Sequence, residues 1–221
     1  MIKTSKKQNN IKTMNTRQAY NIWSQQYDFN ENKTRDLEAQ ALQETLHDIN
    51  FKSCLEIGCG TGKNTAWLIT KAKQVTAVDL SEEMLAKAKE KINNDNVEFI
   101  EADITANWTF GKEKYDFITF SLVLEHIQNL DHIFNEVGKY LVQGGHVYIG
   151  ELHPFKQYAG SKARFETADG TQVVECFTHH LSEFIQTAKK YNLILTTVNE
   201  YFDDGDTATI PRILVLVFTK V

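Results

Sequence analysis

Short apolar runs alternate with longer mixed segments along most of this chain. Residues 54–57 and 75–79 are short and mostly apolar, which is the pattern of buried strands. Between them, residues 64–69 mix polar and apolar positions as a helix does. Further apolar runs follow at residues 97–104, 115–121, 141–150, 193–200 and 212–218. Strands that alternate with helices indicate an α/β fold with a largely parallel sheet and helices on both faces.

Two segments interrupt this alternation. Residues 14–49 have a helical pattern, and residues 151–190 are irregular until a helix that His179 and His180 open. The first residues are polar and basic, so we expect a disordered tail over residues 1–15 and a single domain over residues 16–221.

Composition supports one globular domain. The chain has 221 residues, of which 42% are hydrophobic and 24% charged. No apolar run reaches the roughly 18 residues of a membrane span, and the N-terminus lacks the apolar core of a secretory signal. The net charge of −5 argues against a nucleic-acid partner, which would require clustered Lys and Arg. We therefore expect neither a membrane nor a nucleic-acid partner.

The cysteines indicate a reducing compartment. Cys54, Cys59 and Cys176 form neither a metal-type pair spacing nor an even disulfide set. A cytoplasmic location is the simplest interpretation.

Three glycines at alternate positions follow the first apolar run. Gly58, Gly60 and Gly62 leave a turn with almost no side chains, so that a cofactor can lie against the backbone. Asp79 ends the second run, where a carboxylate can accept both hydroxyls of a ribose. A dinucleotide fingerprint would place its third glycine at Lys63. The spacing therefore predicts a nucleoside-containing cofactor other than a dinucleotide.

The motif Glu56-x-Gly58-x-Gly60-x-Gly62 resembles motif I of the class I S-adenosylmethionine-dependent methyltransferases. The later signals occur in the same order as in that family. They are an acid after the second strand, a helix that a serine caps, an Asp near the third strand, a Glu-His pair after the fourth and a Gly-Gly turn before the fifth. The resemblance covers roughly residues 16–221. It is strongest to the small-molecule branch (methyltransferase type 11) that includes enzymes of ubiquinone and menaquinone biosynthesis.

The resemblance implies a Rossmann-like seven-stranded sheet of order 3-2-1-4-5-7-6 with strand 7 antiparallel. It also implies an N-terminal helical lid over residues 16–49 and a substrate-side insertion over residues 151–190. The implied cofactor is S-adenosyl-L-methionine. The implied reaction moves a methyl group to oxygen, nitrogen or carbon of a small molecule, mainly by proximity and orientation.

One helical face of the lid is aromatic. Tyr20, Trp23 and Tyr27 stand at i, i+3 and i+7, which fits either core packing or a wall that attracts a sulfonium. Arg35 can form two parallel hydrogen bonds to the cofactor's carboxylate, or it can form a salt bridge with a neighbouring acid on the surface.

Strand-end residues complete the implied cofactor site. The resemblance places Asp79 on the ribose, Asp103 on the adenine amino group, Met84 against adenine and Ser121 near the sulfonium. The full expected set is Tyr20, Tyr27, Arg35, Gly58, Gly60, Gly62, Asp79, Leu80, Met84, Asp103, Ile104 and Ser121.

Histidines and one arginine are candidates for the acceptor side. We expect His126 and His153 to act as catalytic groups, because an imidazole can take a proton near neutral pH. His153 also stands at the carboxyl edge where α/β sheets bind ligands, so we expect it to contact substrate together with Arg164, His179 and His180. Adjacent histidines on a helix do not face one way, so we expect no metal.

The sequence departs from the family at two points. Residues 119–122 lack the Asn-Pro-Pro-Tyr-type motif of amide and nucleobase amino methylation. Asn192 stands where relatives often have Gly, and it can still take the left-handed conformation.

Other functions stay open at this point. The same cofactor can serve an enzyme without methyl transfer, or a catalytically silent binding partner. A nicotinamide dehydrogenase is disfavoured by Lys63.

We expect the protein to be a monomer or a homodimer.

Overall fold

The computed structural model describes residues 12–111, 114–168 and 170–221. Its strands are β1 (Lys12–Met14), β2 (Ser53–Ile57), β3 (Gln74–Asp79), β4 (Val97–Glu101), β5 (Tyr115–Ser121), β6 (Leu141–Leu152), β7 (Arg164–Thr167), β8 (Gly170–Val174), β9 (Leu193–Tyr201) and β10 (Ile213–Lys220). Its α-helices are α1 (Thr16–Trp23), α2 (Lys33–Leu46), α3 (Thr65–Lys71), α4 (Glu82–Lys91), α5 (Leu130–Tyr140), α6 (Pro154–Tyr158) and α7 (Leu181–Lys190). Residues 1–11, most of the expected tail, lie outside the described residues.

The main sheet has seven strands in the order β4-β3-β2-β5-β6-β10-β9. Neighbours from β4 to β6 are parallel, whereas β10 is antiparallel to both β6 and β9. This confirms the predicted order and the antiparallel seventh strand. From β2 the chain adds β3 and β4 on one side, and it then places β5 on the other side of β2. The point at which the strand order reverses, called the topological switch point, therefore lies between β2 and β5.

Side-chain caps begin the helices that carry the site. Asn15 accepts a hydrogen bond from the backbone N–H of Gln18 and so begins α1. Asn32 begins α2 in the same way. The predicted cap Ser81 accepts from the N–H of Met84 at 3.1 Å and begins α4 at the carboxyl end of β3. These local signals fix where the helices leave the carboxyl edge of the sheet.

The core lies on both faces of the sheet. Along β10, Ile213, Val215 and Val217 join the apolar cluster on one face, and Leu214 and Leu216 join the cluster on the other. Successive side chains of a strand point to opposite faces, so a strand that is apolar at every position must be covered on both sides. Helices pack against both faces of the sheet.

The segment 151–190 is more regular than the sequence predicted. It contains α6 and an antiparallel hairpin of β7 and β8, and β8 also pairs in parallel with β1. The prediction that this segment is irregular is therefore wrong for its middle part. Alternation over four or five residues is a weak signal, and the partner strand β1 lies far away in sequence.

Two further observations complete the fold. Asn192 has φ of 60°, the left-handed conformation that the sequence allowed after α7. Among the described residues, no helix combines the length and apolar character that crossing a bilayer requires.

Candidate functional site

A cavity of about 330 Å³ opens at the carboxyl edge of the main sheet. Ends of β2, β3 and β5 contribute to its wall, together with α1 and the loop after β4. Ligands of open α/β sheets bind in this crevice, and cavities of this size hold small molecules.

The glycine turn after β2 forms the cavity floor. Gly58 has φ of 73° and donates to the carbonyl of Val78 at 2.7 Å, while Gly60 has φ of 53°. Both line the cavity. A Cβ on Gly58 would lie 2.1 Å from Val123 Cγ2, whereas one on Gly60 would meet nothing within 4 Å. Gly58 therefore allows close packing, and Gly60 supplies a left-handed backbone that other residues adopt at a cost.

Asp79 anchors this turn from the end of β3. Its Oδ2 accepts from the N–H of Gly60 at 2.8 Å and its Oδ1 from the N–H of Ser81 at 2.8 Å. Burial raises the pKa of Asp79, and these backbone hydrogen bonds oppose the rise. The carboxylate thus faces the cavity in a fixed orientation.

Three further predicted cofactor residues lie on the same wall. Leu80 follows Asp79, and Asp103 and Ile104 follow β4, all on the cavity. Asp103 Oδ1 accepts from both the N–H and the hydroxyl of Thr105, at 2.9 and 2.6 Å. These bonds orient the Asp103 side chain without a salt bridge among the described residues.

Ser121 closes the floor at the end of β5. It lines the cavity, and its buried hydroxyl interacts with the carboxyl group of Glu38 at a geometry outside that of an ordinary hydrogen bond. Ser121 thus connects the floor with the buried acids behind it.

Helix α1 covers the cavity from above. Tyr20 and Tyr27, two of the expected cofactor residues, line it, and Trp23 turns away to stack on Phe165 at 5.0 Å between ring centroids. The aromatic stripe is thus divided between the cavity wall and the core. Arg17, one turn before Tyr20, also lines the cavity and pairs with Glu101.

Polar contacts fasten this cover to the sheet. Asp28, in the loop after α1, accepts from Thr61 and from Lys91, each at 2.6 Å. Asn21 accepts from the hydroxyl of Ser81 at 2.6 Å. The cover is therefore bonded to the glycine turn and to both ends of α4.

His126 lies on the wall beyond Ser121, within a 3₁₀ turn at Leu124–His126. Its Nε2 lies 2.9 Å from the hydroxyl of Tyr20 and its Nδ1 lies 2.8 Å from the carbonyl oxygen of Glu175. Of the two predicted catalytic histidines, this one reaches the cavity.

A buried carboxylate holds the loop that carries His126. Glu151 accepts from the N–H groups of Val123, Leu124 and Glu125, at 3.0, 2.8 and 3.3 Å. Leu122, just before them, has φ of 57°, a strained conformation for a branched side chain. Leu122 and Val123 line the cavity, so this strained turn shapes its wall.

Three predicted cofactor residues do not reach the cavity. Arg35 donates to the carbonyls of Tyr27 and Asn30 and so closes the loop between α1 and α2. Met84 is fully buried in the apolar cluster beneath α1. Gly62 is a packing glycine, because a Cβ there would lie 2.8 Å from Ile92 Cδ1.

The expected acceptor residues other than His126 lie away from the cavity. His153 caps α6 by accepting from the N–H of Phe155 at 3.1 Å, and its Nε2 lies 2.9 Å from Glu200. Burial lowers the pKa of His153, and Glu200 opposes that change. Its predicted catalytic and substrate roles have no geometric support, because His153 does not line the cavity.

The three remaining predicted substrate residues are also outside the cavity. Arg164 is exposed on β7. His179 is buried behind the wall, with its Nε2 2.7 Å from the carbonyl of Ile127, and His180 lies 2.5 Å from the hydroxyl of Tyr158. The structure does not bring them together with His126.

Sequence reasoning missed several wall residues. Arg17 stands three positions before Tyr20 on one helical face, and that spacing was an available signal. No local signal marked Glu175, which the contact of its N–H with Met14 brings to the cavity. The missed lining residues are Asn15, Thr16, Arg17, Ile57, Val78, Ala102, Thr105, Leu122, Val123, Ile127 and Glu175.

Buried acids lie behind the floor. Burial raises the pKa of Glu56 to about 8 and that of Glu38 to about 7. Thr65 donates to Glu56 at 2.6 Å, and Tyr148 and Asn64 donate to Glu38 at 3.1 and 3.0 Å. Glu38 is thus the polar link between α2 and the sheet.

Glu125, His126 and Cys176 form a group of potential metal ligands. One ligand atom from each residue lies within 4.8 Å of the others. Burial raises the pKa of Cys176 to about 12, which disfavours the thiolate that binds metals. His126 Nδ1 is already engaged with Glu175.

A largely parallel open sheet, with a bare glycine turn at its switch point and an acid after each of the next two strands, is the arrangement of Rossmann-like domains that bind nucleoside-containing cofactors. Comparison with known proteins narrows this class. Residues 55–149 match the protein family described as methyltransferase domain. Over that segment the chain is similar to methyltransferases, and its fold is similar to that of solved S-adenosylmethionine-dependent methyltransferases.

Individual relatives agree with this family. The biotin biosynthesis bifunctional protein BioHC of Cellvibrio japonicus is 31% identical over 54% of this chain and 24% of its own length. The ubiquinone biosynthesis O-methyltransferase of Vibrio atlanticus is 26% identical over 66% of this chain and 62% of its own length. The chain thus spans less than two thirds of either relative. A solved DhpI–SAH complex is 25% identical with a TM-score of 0.71, over 90% of this chain and 92% of that one.

Proposed function

We propose that this protein transfers a methyl group from S-adenosylmethionine to a small-molecule acceptor. The observation that carries the proposal is the cavity in which the glycine turn, Asp79 and Asp103 meet at the carboxyl edge of the sheet. The DhpI–SAH complex supports the cofactor, and the small-molecule methyltransferases among the relatives support the acceptor class.

Named residues would hold each part of the cofactor. Gly58 and Gly60 would contact it through their backbone, and Asp79 would accept the ribose hydroxyls. Asp103 and Ile104 would contact the adenine, and Ser121 would lie near the sulfur. When bound, S-adenosylmethionine supplies a methyl group that is already activated for transfer.

The chain's own contribution is then binding, orientation and exclusion of water. Tyr20 and Tyr27 cover the cavity, and aromatic faces attract cations. Placing the acceptor atom about 3 to 3.5 Å behind the methyl carbon lowers the barrier without further chemistry.

Calorimetry and an activity assay test the proposal in two steps. We expect S-adenosylhomocysteine and S-adenosylmethionine to bind with one-to-one stoichiometry. We then expect the protein to form S-adenosylhomocysteine when it is incubated with S-adenosylmethionine and a pool of small metabolites. Absence of binding by both compounds at about 1 mM would overturn the proposal.

The second step separates the alternative functions. Binding without turnover in any metabolite pool would favour a silent binding partner. A mass change in the cofactor other than loss of methyl would indicate different chemistry with the same cofactor.

A cytoplasmic location and a monomeric or homodimeric state belong to the same proposal. Cys54, Cys59 and Cys176 are free thiols, which supports a reducing compartment. Fractionation of cells and light scattering of the purified protein test the two statements separately.

A further inference from the structure

Glu175 stands at the end of the cavity that the proposed function leaves for the acceptor. It follows β8 directly and lines the cavity. Two contacts fix its backbone, because its N–H donates to the carbonyl of Met14 at 3.2 Å and its carbonyl oxygen lies 2.8 Å from Nδ1 of His126. His126 continues the wall beyond Ser121, which the proposed function places near the sulfur. An inference about Glu175 therefore rests on that function.

The side chain of Glu175 is unused although its backbone is fixed. The residue is exposed, and its carboxylate makes no hydrogen bond or ion pair with any residue that the structure describes. A carboxylate accepts hydrogen bonds and does not donate them, and its strongest partners are positively charged donors. Glu175 thus offers an unoccupied acceptor group to a ligand in the cavity.

Acidic side chains outnumber basic ones on the cavity lining. Asp79, Asp103 and Glu175 are acidic. Arg17 is the one basic residue, histidine aside, among the described residues of the lining. Its guanidinium pairs with Glu101, so its charge is compensated. A cleft lined by one sign of charge concentrates ligands of the opposite sign, and this cavity therefore favours cations.

The other two lining acids already have partners. Asp79 accepts from two backbone N–H groups, and Asp103 accepts from Thr105. Both follow strands on the side of the cavity that the proposed function assigns to the ribose and the adenine. Glu175 comes from the hairpin of β7 and β8 and contacts His126. It is therefore the acid that remains for the acceptor.

Apolar and aromatic surface surrounds this end of the cavity. Val123 and Ile127 line it on either side of His126, and Tyr20 lines it from α1. Such surface holds the uncharged body of a small molecule, and an aromatic face also attracts a cation. One negative group beside an apolar wall is complementary to a small amine with an apolar body.

The N-terminal end of α1 lies at the same mouth and attracts the opposite charge. Asn15 and Thr16 line the cavity, and the first N–H groups of a helix favour anions. The side chain of Asn15 already accepts from the N–H of Gln18 at 3.0 Å. What is left of the helix end amounts to at most about half a positive charge, whereas Glu175 carries a full negative one. The carboxylate therefore dominates.

We propose that Glu175 determines the acceptor class by binding an ammonium group, so that this protein methylates small cationic amines and not anionic acceptors. The ammonium group donates hydrogen bonds to the carboxylate of Glu175, while the rest of the acceptor contacts Val123 and Ile127. This contact serves recognition alone, and no covalent bond forms or breaks in it. Because an ammonium nitrogen has no lone pair, the methyl group goes to a different atom of the acceptor.

Binding of three probes of similar shape tests the charge preference. The probes are 2-phenylethylamine, which is protonated at neutral pH, 2-phenylethanol and phenylacetate. Each is titrated into protein saturated with S-adenosylhomocysteine. We expect the cation to bind about 10-fold more tightly than the alcohol, which is the gain from one hydrogen bond to a charged group, and phenylacetate to bind most weakly. Equal affinities, a preference for phenylacetate or no detectable binding of 2-phenylethylamine would overturn the proposal.

Variants show whether Glu175 is the source of this preference. Glu175→Gln keeps the shape and removes the charge, so 2-phenylethylamine should bind no better than the alcohol. Glu175→Lys should make phenylacetate the tightest of the three probes. Glu166→Gln is the matched control, because Glu166 is exposed on the same hairpin and does not line the cavity. It should keep the preference of the unchanged chain. A preference that survives Glu175→Gln would refute the role of Glu175.

Turnover separates this inference from the proposed function. A metabolite pool is divided by ion exchange into cationic, neutral and anionic fractions, and formation of S-adenosylhomocysteine is measured with each. We expect formation with the cationic fraction, and Glu175→Gln should raise KM more than it lowers kcat, because the group it binds does not react. Formation with only the neutral or anionic fraction would overturn this inference and leave the proposed function standing. No formation with any fraction would overturn the proposed function and this inference with it.

Discussion

Two aspartates of this protein make nearly the same hydrogen bonds at opposite edges of the sheet. Asp79 accepts from the N–H groups of Gly60 and Ser81 at the carboxyl edge, and Asp116 accepts from those of Lys52 and Ser53 at the other edge. At the residue scale, Asp79 and Asp116 therefore have the same side-chain chemistry and the same kind of hydrogen-bond donors. What distinguishes Asp79 is the cavity beside it.

We predict that Asp79→Asn weakens binding of S-adenosylhomocysteine by about 10- to 100-fold. The change removes a charged acceptor, and a hydrogen bond to such a group contributes about 1.5 to 3 kcal/mol. Calorimetry gives the dissociation constant. Asp116→Asn is the matched control and should lower the free energy of unfolding without changing that constant. Equal weakening by both variants would contradict the assigned role of Asp79.

A second prediction concerns Gly60. We expect Gly60→Ala and Gly144→Ala each to lower the free energy of unfolding by about 1–2 kcal/mol, the cost of a left-handed conformation. Both glycines have positive φ, and a Cβ on either would meet nothing within 4 Å. Because Gly60 alone of the two lines the cavity, its variant alone should weaken S-adenosylhomocysteine binding. Denaturation and calorimetry together check this result, and unchanged affinity in Gly60→Ala would remove Gly60 from the site.

At the scale of elements, α1 and the loop after it form a cover bonded to the rest of the site. The bonds of Asp28 to Thr61 and Lys91 join this cover to the glycine turn and to α4. The stack of Trp23 on Phe165 joins it to β7. Because α1 packs on a small apolar cluster separate from the two clusters on the sheet faces, we expect the cover to open without unfolding the sheet.

We predict that Asp28→Ala increases amide hydrogen exchange in residues 15–32 and speeds dissociation of S-adenosylhomocysteine. The variant removes both bonds of the loop, while the core strands keep their packing. Exchange measured by mass spectrometry and dissociation measured by stopped flow would detect the two effects. The exposed Asp48 offers a control, since Asp48→Ala should change neither quantity. Unchanged exchange in Asp28→Ala would mean that other contacts hold the cover.

At the scale of the whole molecule, three buried glutamates couple stability to pH. Burial raises the pKa of Glu38 to about 7 and those of Glu56 and Glu151 to about 8, from an ordinary value of 4.5. The folded state therefore binds more protons than the unfolded chain between these values. Their contribution to stability should be fully present below pH 4.5 and should fall as the pH rises toward 8.

We predict that the free energy of unfolding decreases from pH 5.5 to pH 8 and that Glu56→Gln makes this slope shallower. Each such group can contribute up to about 1.4 kcal/mol per pH unit. Urea denaturation at several pH values measures the slope. Glu31→Gln, at an exposed position, should leave the slope unchanged. A slope that does not respond to Glu56→Gln would show that Glu56 is ionised in the folded state throughout this range.

Local signals predicted much of the fold and the cofactor side of the cavity. The apolar runs predicted the seven strands, and Ser81 predicted a helix start. The spacing of the glycines and Asp79 predicted a cofactor site, and Gly58, Gly60 and Asp79 line the cavity. These features depend on residues within a few positions of each other. Backbone preference and side-chain caps act over that range.

The acceptor side depended on contacts that are distant in sequence. Glu200 of β9 engages His153 and leaves it in a helix cap, whereas Tyr20 and Glu175 engage His126 on the cavity. Nothing in the residues next to either histidine distinguishes these two outcomes.

The positions of the strands and the backbone of the glycine turn were thus determined by the sequence itself, because they follow from periodicity and from the absence of side chains. Periodicity did not determine the order of the strands, which was predicted from the family resemblance. Tertiary structure decided which of the two predicted catalytic histidines, His126 or His153, meets the cavity. Loops that approach from separate parts of the chain set the direction of each ring, and their packing is a property of the assembled fold.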